Sequence, residues 1–141
     1  MKQKISKTTN DKYIILIRLL VGIVFLSEGV QKFLFPETRG AGRFEDIGLP
    51  AVEFLGYFVG SFEVICGVLV LLGAYTRIAV LPLISIMLTA LITTKIPILI
   101  DTGFWEMTHA ARTDLSMLLC CIFLLAKGSG YFSIDMTRIK K

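Results

Sequence analysis

Charged residues are scarce in this chain, at 18% of 141 residues, whereas soluble domains carry about 25%. Apolar residues make up 55% of the sequence, and the mean hydropathy is +0.74. This composition argues against a disordered chain and against a water-soluble enzyme. The net charge of +4 does not indicate nucleic-acid binding. Nucleic-acid-binding domains concentrate Lys and Arg on a solvated face, and this chain has little such surface.

Histidine and cysteine are also few, with one histidine, His109, and three cysteines, Cys66, Cys120 and Cys121. One histidine cannot ligate a haem from both sides, and no cysteine cluster suits an iron–sulfur site. The cysteines lie in apolar stretches without a C-x-x-C motif, where they act as small apolar side chains. No nucleotide-binding loop, nucleophile elbow or zinc motif is present in the sequence. We therefore expect no haem, iron–sulfur cluster, metal or nucleotide, and any redox work would need an electron carrier on a ligand or partner.

What the sequence does contain is four long apolar stretches, at 13–35, 52–75, 78–94 and 108–126. Each is about as long as the roughly 17–25 residues of a membrane-spanning helix. We expect the first to be retained as a helix and not cleaved as a signal peptide, because its apolar run is too long, contains Arg18 and lacks a cleavage site of small residues. The sequence therefore predicts an all-α integral membrane protein, a four-helix bundle.

Basic residues are distributed unevenly over the two sides of such a bundle. Four spans place both termini on one side together with the turn at 74–77, and that side carries nine Lys and Arg residues against five on the other. The bias predicts that both termini are cytoplasmic. The chain then divides into a basic segment, 1–12, a membrane domain, 13–127, and a basic tail, 128–141.

Two connections lie on the outer side, 36–50 and about 95–107; the first contains three glycines and the segment 44–47, and the second is apolar. We expect a short interfacial helix in the first and a segment that lies on or dips into the membrane in the second. Trp105 is interpreted as an interfacial anchor, since aromatic side chains are enriched at that level.

Four ionisable residues are expected at membrane depth within the apolar stretches, namely Arg18, Glu28, Glu63 and Asp114. Charges at membrane depth are costly, and they usually face a bundle interior or a wet cavity. Glu63 shares one narrow arc of its helix with the glycines at positions 56, 60 and 67. Small residues at that spacing let a neighbouring helix approach closely, so we expect the carboxylate on the packing face, close to the membrane midplane.

The first stretch has a matching face, formed by Arg18, Gly22, Phe25, Gly29 and Lys32. An ion pair between Arg18 and Glu63 is geometrically reasonable, and buried charges need such partners. The alternative is that Arg18 extends to the cytoplasmic headgroups. A further alternative is that these charges only fix the packing and register of the helices.

A second polar layer is expected nearer the outer face. Glu28 and Asp114 lie at similar depth there, and Lys32 follows Glu28 by one helical turn, a favourable spacing for an ion pair. Lys95 lies near the same level. The hydroxyls at positions 85, 89 and 93 are interpreted as bonding back to their own helix or across an interface.

Glu28, Glu63 and Asp114 are candidates for proton relay. The predicted ligand-binding residues are Arg18, Glu28, Lys32, Glu63, His109, Arg112 and Asp114.

Three parts of the sequence, in this order, together resemble the DoxX family. They are Arg18–Phe25 ending in Gly29–Lys32, Glu63–Gly67 followed by Leu71–Arg77, and the tail Gly128–Asp135. The resemblance implies a four-helix, multi-pass protein of the bacterial or archaeal plasma membrane. It also implies a link to redox chemistry, since some relatives are membrane subunits of thiosulfate:quinone oxidoreductase. In outline the chain is similar to eukaryotic four-helix receptors that bind rather than catalyse.

On this resemblance, the leading hypothesis is a membrane subunit of a quinone-linked redox system that holds a lipid-soluble quinone within the bundle. Whether the chain is itself an enzyme stays open, because it shows no redox centre of its own. The first alternative is a non-catalytic protein that binds a lipid or small amphiphile or scaffolds a partner. The second is a proton-coupled transporter that uses Arg18, Glu63 and Glu28. Expected partners are the bilayer, a quinone or lipid, and a second copy or a redox subunit, but not nucleic acid.

Overall fold

The computed structural model describes residues 8–139, and this part of the chain is helical without a strand. A π-helical turn, Leu91–Lys95, continues the fifth helix into the sixth. In chain order the α-helices are α1 (Ile14–Leu34), α2 (Pro36–Arg39), α3 (Ala41–Asp46), α4 (Val52–Leu72), α5 (Thr76–Ala90), α6 (Ile96–Asp101), α7 (Phe104–Lys127) and α8 (Ile134–Ile139).

Four helical segments are long and apolar enough to cross a membrane: 14–34, 52–72, 76–101 and 104–127. The predicted all-α, four-helix membrane architecture is therefore confirmed.

The two ends of the bundle are named as follows. The terminal end is the one where the described part of the chain begins and ends, and the loop end is the opposite one. The basic residues Lys2, Lys4, Lys7, Lys140 and Lys141, on which the topology prediction partly depends, lie outside the described residues.

The third span is longer than the sequence predicted. The prediction ended this span at Thr94, yet the helix continues through the π-helical turn to Asp101 and contains 26 residues. Pro97 lacks an amide hydrogen, and its ring excludes the carbonyl group four residues earlier, so a wider turn is accommodated before it. The second connection at the loop end is therefore mostly a continuation of the span, whereas the first contains two short helices, α2 and α3, where one was expected.

The antiparallel helices α1 and α4 pack through the faces that the sequence predicted. All of the predicted interface residues on both helices are buried. A Cβ atom on Gly29 would lie 2.8 Å from the carbonyl oxygen of Gly60, and one on Gly67 would lie 2.9 Å from the amide nitrogen of Leu26. Glycine at these positions therefore lets the two backbones approach closely, as small residues do between membrane helices.

The apolar core fills the half of the bundle nearest the terminal end. Val70, Val80, Leu83, Cys121 and Leu124 are completely enclosed there. Such side chains exclude water from the terminal half, so a polar group in that half needs a protein partner.

Arg18 finds its partners in backbone carbonyl groups at the terminal end. Its Nε donates to the carbonyl of Val70 at 2.9 Å, and its Nη1 donates to that of Ser129 at 3.0 Å. The guanidinium also donates to the carbonyls of Leu71 and Phe132. Arg18 thus supplies a donor to the Leu71 carbonyl and a second donor to that of Val70, which also accepts from the amide of Gly73. Its bonds to Ser129 and Phe132 tie the tail to this end of α4.

The tail also closes the start of α5. The Asp135 carboxylate accepts hydrogen bonds from the amides of Tyr75 at 2.8 Å and Thr76 at 3.1 Å. The amide of Asp135 in turn donates to the carbonyl of Gly73 at 2.9 Å. A carboxylate at this place caps the helix and interacts favourably with its dipole. The tail segment therefore acts as a cap over the terminal end.

Candidate functional site: a cavity at the loop end

A cavity of about 570 Å³ lies between α1, α4, α5 and α7 in the half of the bundle nearest the loop end. The segment from Arg43 to Pro50 covers it from the loop side. Most of its wall is apolar and includes Phe25, Phe58 and Met117. Sites for small molecules typically have about 300–1,000 Å³ of volume, apolar walls and a few polar groups.

An ion pair between Lys32 and Glu63 forms the most buried polar group of this cavity. The Lys32 Nζ lies 2.6 Å from Glu63 Oε2. Lys32 is 8% exposed and Glu63 is 2% exposed, and both line the cavity. A buried pair of this kind is tolerated because each charge compensates the other.

The predicted ion pair between Arg18 and Glu63 is therefore wrong, and so is its alternative, in which Arg18 extends to the headgroups. Side chains on a helix lean toward its N-terminus. On α1 this direction takes Arg18 toward the terminal end, away from Glu63, and takes Lys32 back into the bundle. On antiparallel α4 the same rule directs Glu63 toward the loop end, where it contacts Lys32. The line of charges on which the transport hypothesis depends is interrupted at Arg18.

Glu28 and Arg43 are the two charged residues of the wall that form neither an ion pair nor a hydrogen bond among residues 8–139. Glu28 is half-buried on α1, and Arg43 is half-buried on α3. Both lie close enough to interact electrostatically with the Glu63 carboxylate. The favourable spacing of Glu28 and Lys32 on one helix does not yield an ion pair, because Lys32 bonds to Glu63 instead.

Asp114 is the last charged residue of the cavity wall, and Lys95 is its ion-pair partner. Asp114 on α7 lines the cavity, and its Oδ2 lies 3.0 Å from Nζ of Lys95 in the π-helical turn. Their side chains are 21% and 13% exposed. The sequence placed both residues near one level, and the structure brings them into contact.

His109 and Arg112 lie on the exposed face of α7 and do not line the cavity. The two side chains contact each other, with Arg112 Nη1 3.1 Å from His109 Nε2. Arg18 also lies away from the cavity. The structure therefore brings together Glu28, Lys32, Glu63 and Asp114 from the predicted ligand-binding set and places the other three residues elsewhere.

Hydroxyl groups on α5 form another part of the cavity wall. The Ser85 hydroxyl donates to the carbonyl of Leu81 at 3.2 Å, that of Thr89 to Ser85 at 2.9 Å, and that of Thr93 to Thr89 at 2.8 Å. The predicted bonding of these hydroxyls back to their own helix is confirmed.

In the described part of the chain, no group of three or more His, Cys, Asp or Glu residues is placed to hold a metal ion.

Arg43 is the charged residue of the cavity wall that was not among the predicted ligand-binding residues. It was assigned to the outer connection and counted only as a charge on that side. The expected short helix in this connection was the available signal, because one face of such a helix has to lie against the bundle. Which face that is depends on how α3 packs against α4, and the sequence alone does not specify this packing.

Comparison with known proteins places the chain among membrane proteins. The DoxX family model matches residues 13–96. The chain is 52% identical over 134 residues to an uncharacterized membrane protein of Mycobacterium tuberculosis, with 91% of this chain and 82% of that protein covered. It is 32% identical over 121 residues to a Bacillus subtilis protein named "Putative oxidoreductase CatD", with 86% and 83% covered. No solved structure matches the chain significantly.

Proposed function

The chain belongs to the DoxX family of membrane proteins, and from this premise we propose that it binds a lipid-soluble quinone in its loop-end cavity, as a membrane subunit of a quinone-linked redox system. The observation that carries the proposal is the buried ion pair of Lys32 and Glu63 in an otherwise mostly apolar cavity. A packing device would not require such a pair to face an open space of about 570 Å³. The name of the Bacillus subtilis relative supports a redox role.

The chemistry of the wall fits a quinone. Such a ligand has a flat apolar ring with two carbonyl oxygens, and on reduction it takes up two electrons and two protons. Phe25, Met117 and the other apolar side chains would contact the ring. The ammonium group of Lys32 has three hydrogens, of which one is directed at Glu63, so it can also donate to a ligand oxygen. Arg43 carries five further donors.

The carboxylates of the cavity would hold and transfer the protons. Glu28 has no ion-pair partner within residues 8–139, and Glu63 lies deeper on the same side of the cavity. Asp114 faces them from α7 and is partly exposed. A redox partner subunit would supply the electrons. The chain could also associate with a second copy of itself.

Saturable binding tests this proposal. The purified full chain in lipid nanodiscs is titrated with decylubiquinone by calorimetry, with empty nanodiscs correcting for partition into lipid. Saturation at one quinone per chain is expected. Lys32→Met removes a donor at the ligand and is expected to weaken binding about tenfold or more, since hydrogen bonds to charged groups contribute about 1.5–3 kcal/mol.

Arg112→Met is the matched control, because Arg112 lies near the same depth but outside the cavity. Its affinity should equal that of the original chain. Absence of saturable quinone binding would remove the proposal, and a Glu63→Gln variant that binds the quinone as tightly as the original chain would contradict the role of the ion pair in it. Native mass spectrometry of the same samples then decides for the alternative function if it recovers a bound lipid instead of a quinone.

We further propose a bacterial or archaeal plasma membrane as the location, with both termini in the cytoplasm. Within the described residues, Lys12, Arg77, Lys127 and Arg138 lie at the terminal end, and basic residues are retained on the cytoplasmic side. A green fluorescent protein fused to the C-terminus should fluoresce in cells. If this fusion does not fluoresce, and alkaline phosphatase fused at the same position is active, the C-terminus lies outside the cytoplasm and the proposed orientation is wrong.

A further inference from the structure

The α5 side of the cavity presents hydroxyl oxygens whose hydrogens are already used. Ser85, Thr89 and Thr93 donate to carbonyls of their own helix, and Thr94 does the same at 2.6 Å. All four line the cavity. A hydroxyl has one hydrogen and two lone pairs, so these groups can offer a ligand hydrogen-bond acceptors but no donor.

The charged residues add more acceptors than free donors. Glu28, Glu63 and Asp114 all line the cavity, and an ionised carboxylate only accepts hydrogen bonds. Lys32 and Arg43 are the donors of the wall, and Lys32 is already engaged with Glu63. Acceptors on the α5 and α7 sides thus face a smaller number of donors on α1 and α3.

We infer that the cavity binds the reduced, hydroxyl-bearing form of its quinone more tightly than the oxidised form. This inference rests on the proposed function. The two carbonyl oxygens of a quinone only accept hydrogen bonds, whereas each hydroxyl of a quinol both donates and accepts. A quinol can therefore donate to Thr89 or Thr93 and still accept from Lys32 or Arg43, while a quinone leaves the acceptor side of the cavity without donors.

The preference has a redox consequence. Reduction adds two electrons and two protons and converts both carbonyl groups of the quinone into hydroxyl groups. A site that favours the product raises the midpoint potential of the bound quinone. For this two-electron couple, a tenfold tighter binding of the quinol corresponds to about 30 mV.

The test compares decylubiquinone with decylubiquinol, which have the same tail. Both are titrated into the full chain in nanodiscs under anaerobic conditions. We expect the quinol to bind about tenfold tighter, which corresponds to one or two additional hydrogen bonds. In a Thr89→Val/Thr93→Val variant, the affinity for the quinol should fall by about tenfold, while the affinity for the quinone should change less than about twofold.

Thr102→Val is the matched control, because the Thr102 hydroxyl makes the same bond to its own helix, at 2.8 Å, but lies outside the cavity. It should leave both affinities unchanged. Circular dichroism verifies that each variant is folded. Equal affinities for the two forms, or a valine variant that retains the quinol preference, would overturn this inference and leave the proposed function intact. Absence of saturable binding of either form would overturn both.

Discussion

The two ends of this bundle use buried charge in opposite ways. At the terminal end, the partners of Arg18 and Asp135 are backbone groups at helix ends, and the tail encloses them. At the loop end, Lys32 and Glu63 are each other's partners, and both face a cavity. A charge whose hydrogen bonds are all used by the backbone is unavailable to a ligand. Burial alone therefore does not identify a binding site; the nature of the partners separates a structural charge from a functional one.

Loss of Arg18 should produce the largest effect on stability. In Arg18→Met, the carbonyls of Leu71, Ser129 and Phe132 lose their guanidinium donor, whereas that of Val70 keeps its hydrogen bond from the amide of Gly73. We expect the free energy of unfolding to fall by about 4 kcal/mol or more, since each orphaned buried acceptor costs about 1–3 kcal/mol. Unfolding by sodium dodecyl sulfate in mixed micelles, followed by circular dichroism, measures it. An equal loss in the exposed control Arg112→Met would contradict a structural role specific to Arg18.

Loss of Lys32 should cost somewhat less and should be reversible by a second change. Lys32→Met leaves the Glu63 carboxylate buried without a partner and is expected to cost about 3 kcal/mol. Lys32→Met/Glu63→Leu should recover most of that loss, because an apolar replacement of both partners removes the unpaired charge. No comparable rescue exists for Arg18, whose partners are backbone carbonyls. A double variant as unstable as the single one would remove this distinction between the ends.

The cap provided by Asp135 should contribute less than either buried cation. Asp135→Ala removes the acceptor for the amides of Tyr75 and Thr76 and is expected to cost about 1–2 kcal/mol. The same unfolding assay applies, with Asp101→Ala at the exposed end of α6 as the control. If the two variants lose equal stability, the tail does not cap α5 in the way described.

The ion pair of Lys95 and Asp114 should matter least for stability. Both side chains are partly exposed, so Asp114→Asn is expected to cost less than about 1 kcal/mol. Raising the ionic strength should reduce the difference further. A loss of stability as large as that of Lys32→Met, and insensitive to salt, would contradict this prediction. It would show that the Lys95–Asp114 pair is as deeply buried as the Lys32–Glu63 pair.

Much of the helix packing could be predicted, because periodicity acts within one helix. The arc of Gly60, Glu63 and Gly67 predicted the packing face of α4, and the corresponding arc on α1 is equally buried. Periodicity specifies a face but neither the register of two helices nor the direction of a side chain along the axis. The prediction therefore paired Arg18 with Glu63, whereas the lean of side chains toward the helix N-terminus pairs Lys32 with it.

Contacts between distant parts of the sequence could not be predicted. The bond from Arg18 to Ser129 joins residues 111 positions apart, and the tail was assigned to a basic segment and a family motif without any predicted contact. The place of Arg43 in the cavity wall could not be predicted for the same reason, since it depends on how α3, in the first connection at the loop end, packs on α4. The charged members of the candidate site on α1, α4 and α7 were thus predicted, whereas Arg43 on α3 and the hydroxyl groups on α5 were not assigned to it.

The most direct test of the central claim uses the Lys32→Met/Glu63→Leu variant, in which the structural and the ligand-binding consequences of the pair separate. Its unfolding free energy and its decylubiquinone affinity are measured on the same nanodisc preparation. Near-original stability with at least a tenfold loss of quinone affinity is the predicted result, because the pair contributes little net stability but supplies the polar contact to the ligand. Near-original stability with unchanged quinone affinity would contradict the claim that the pair serves a ligand.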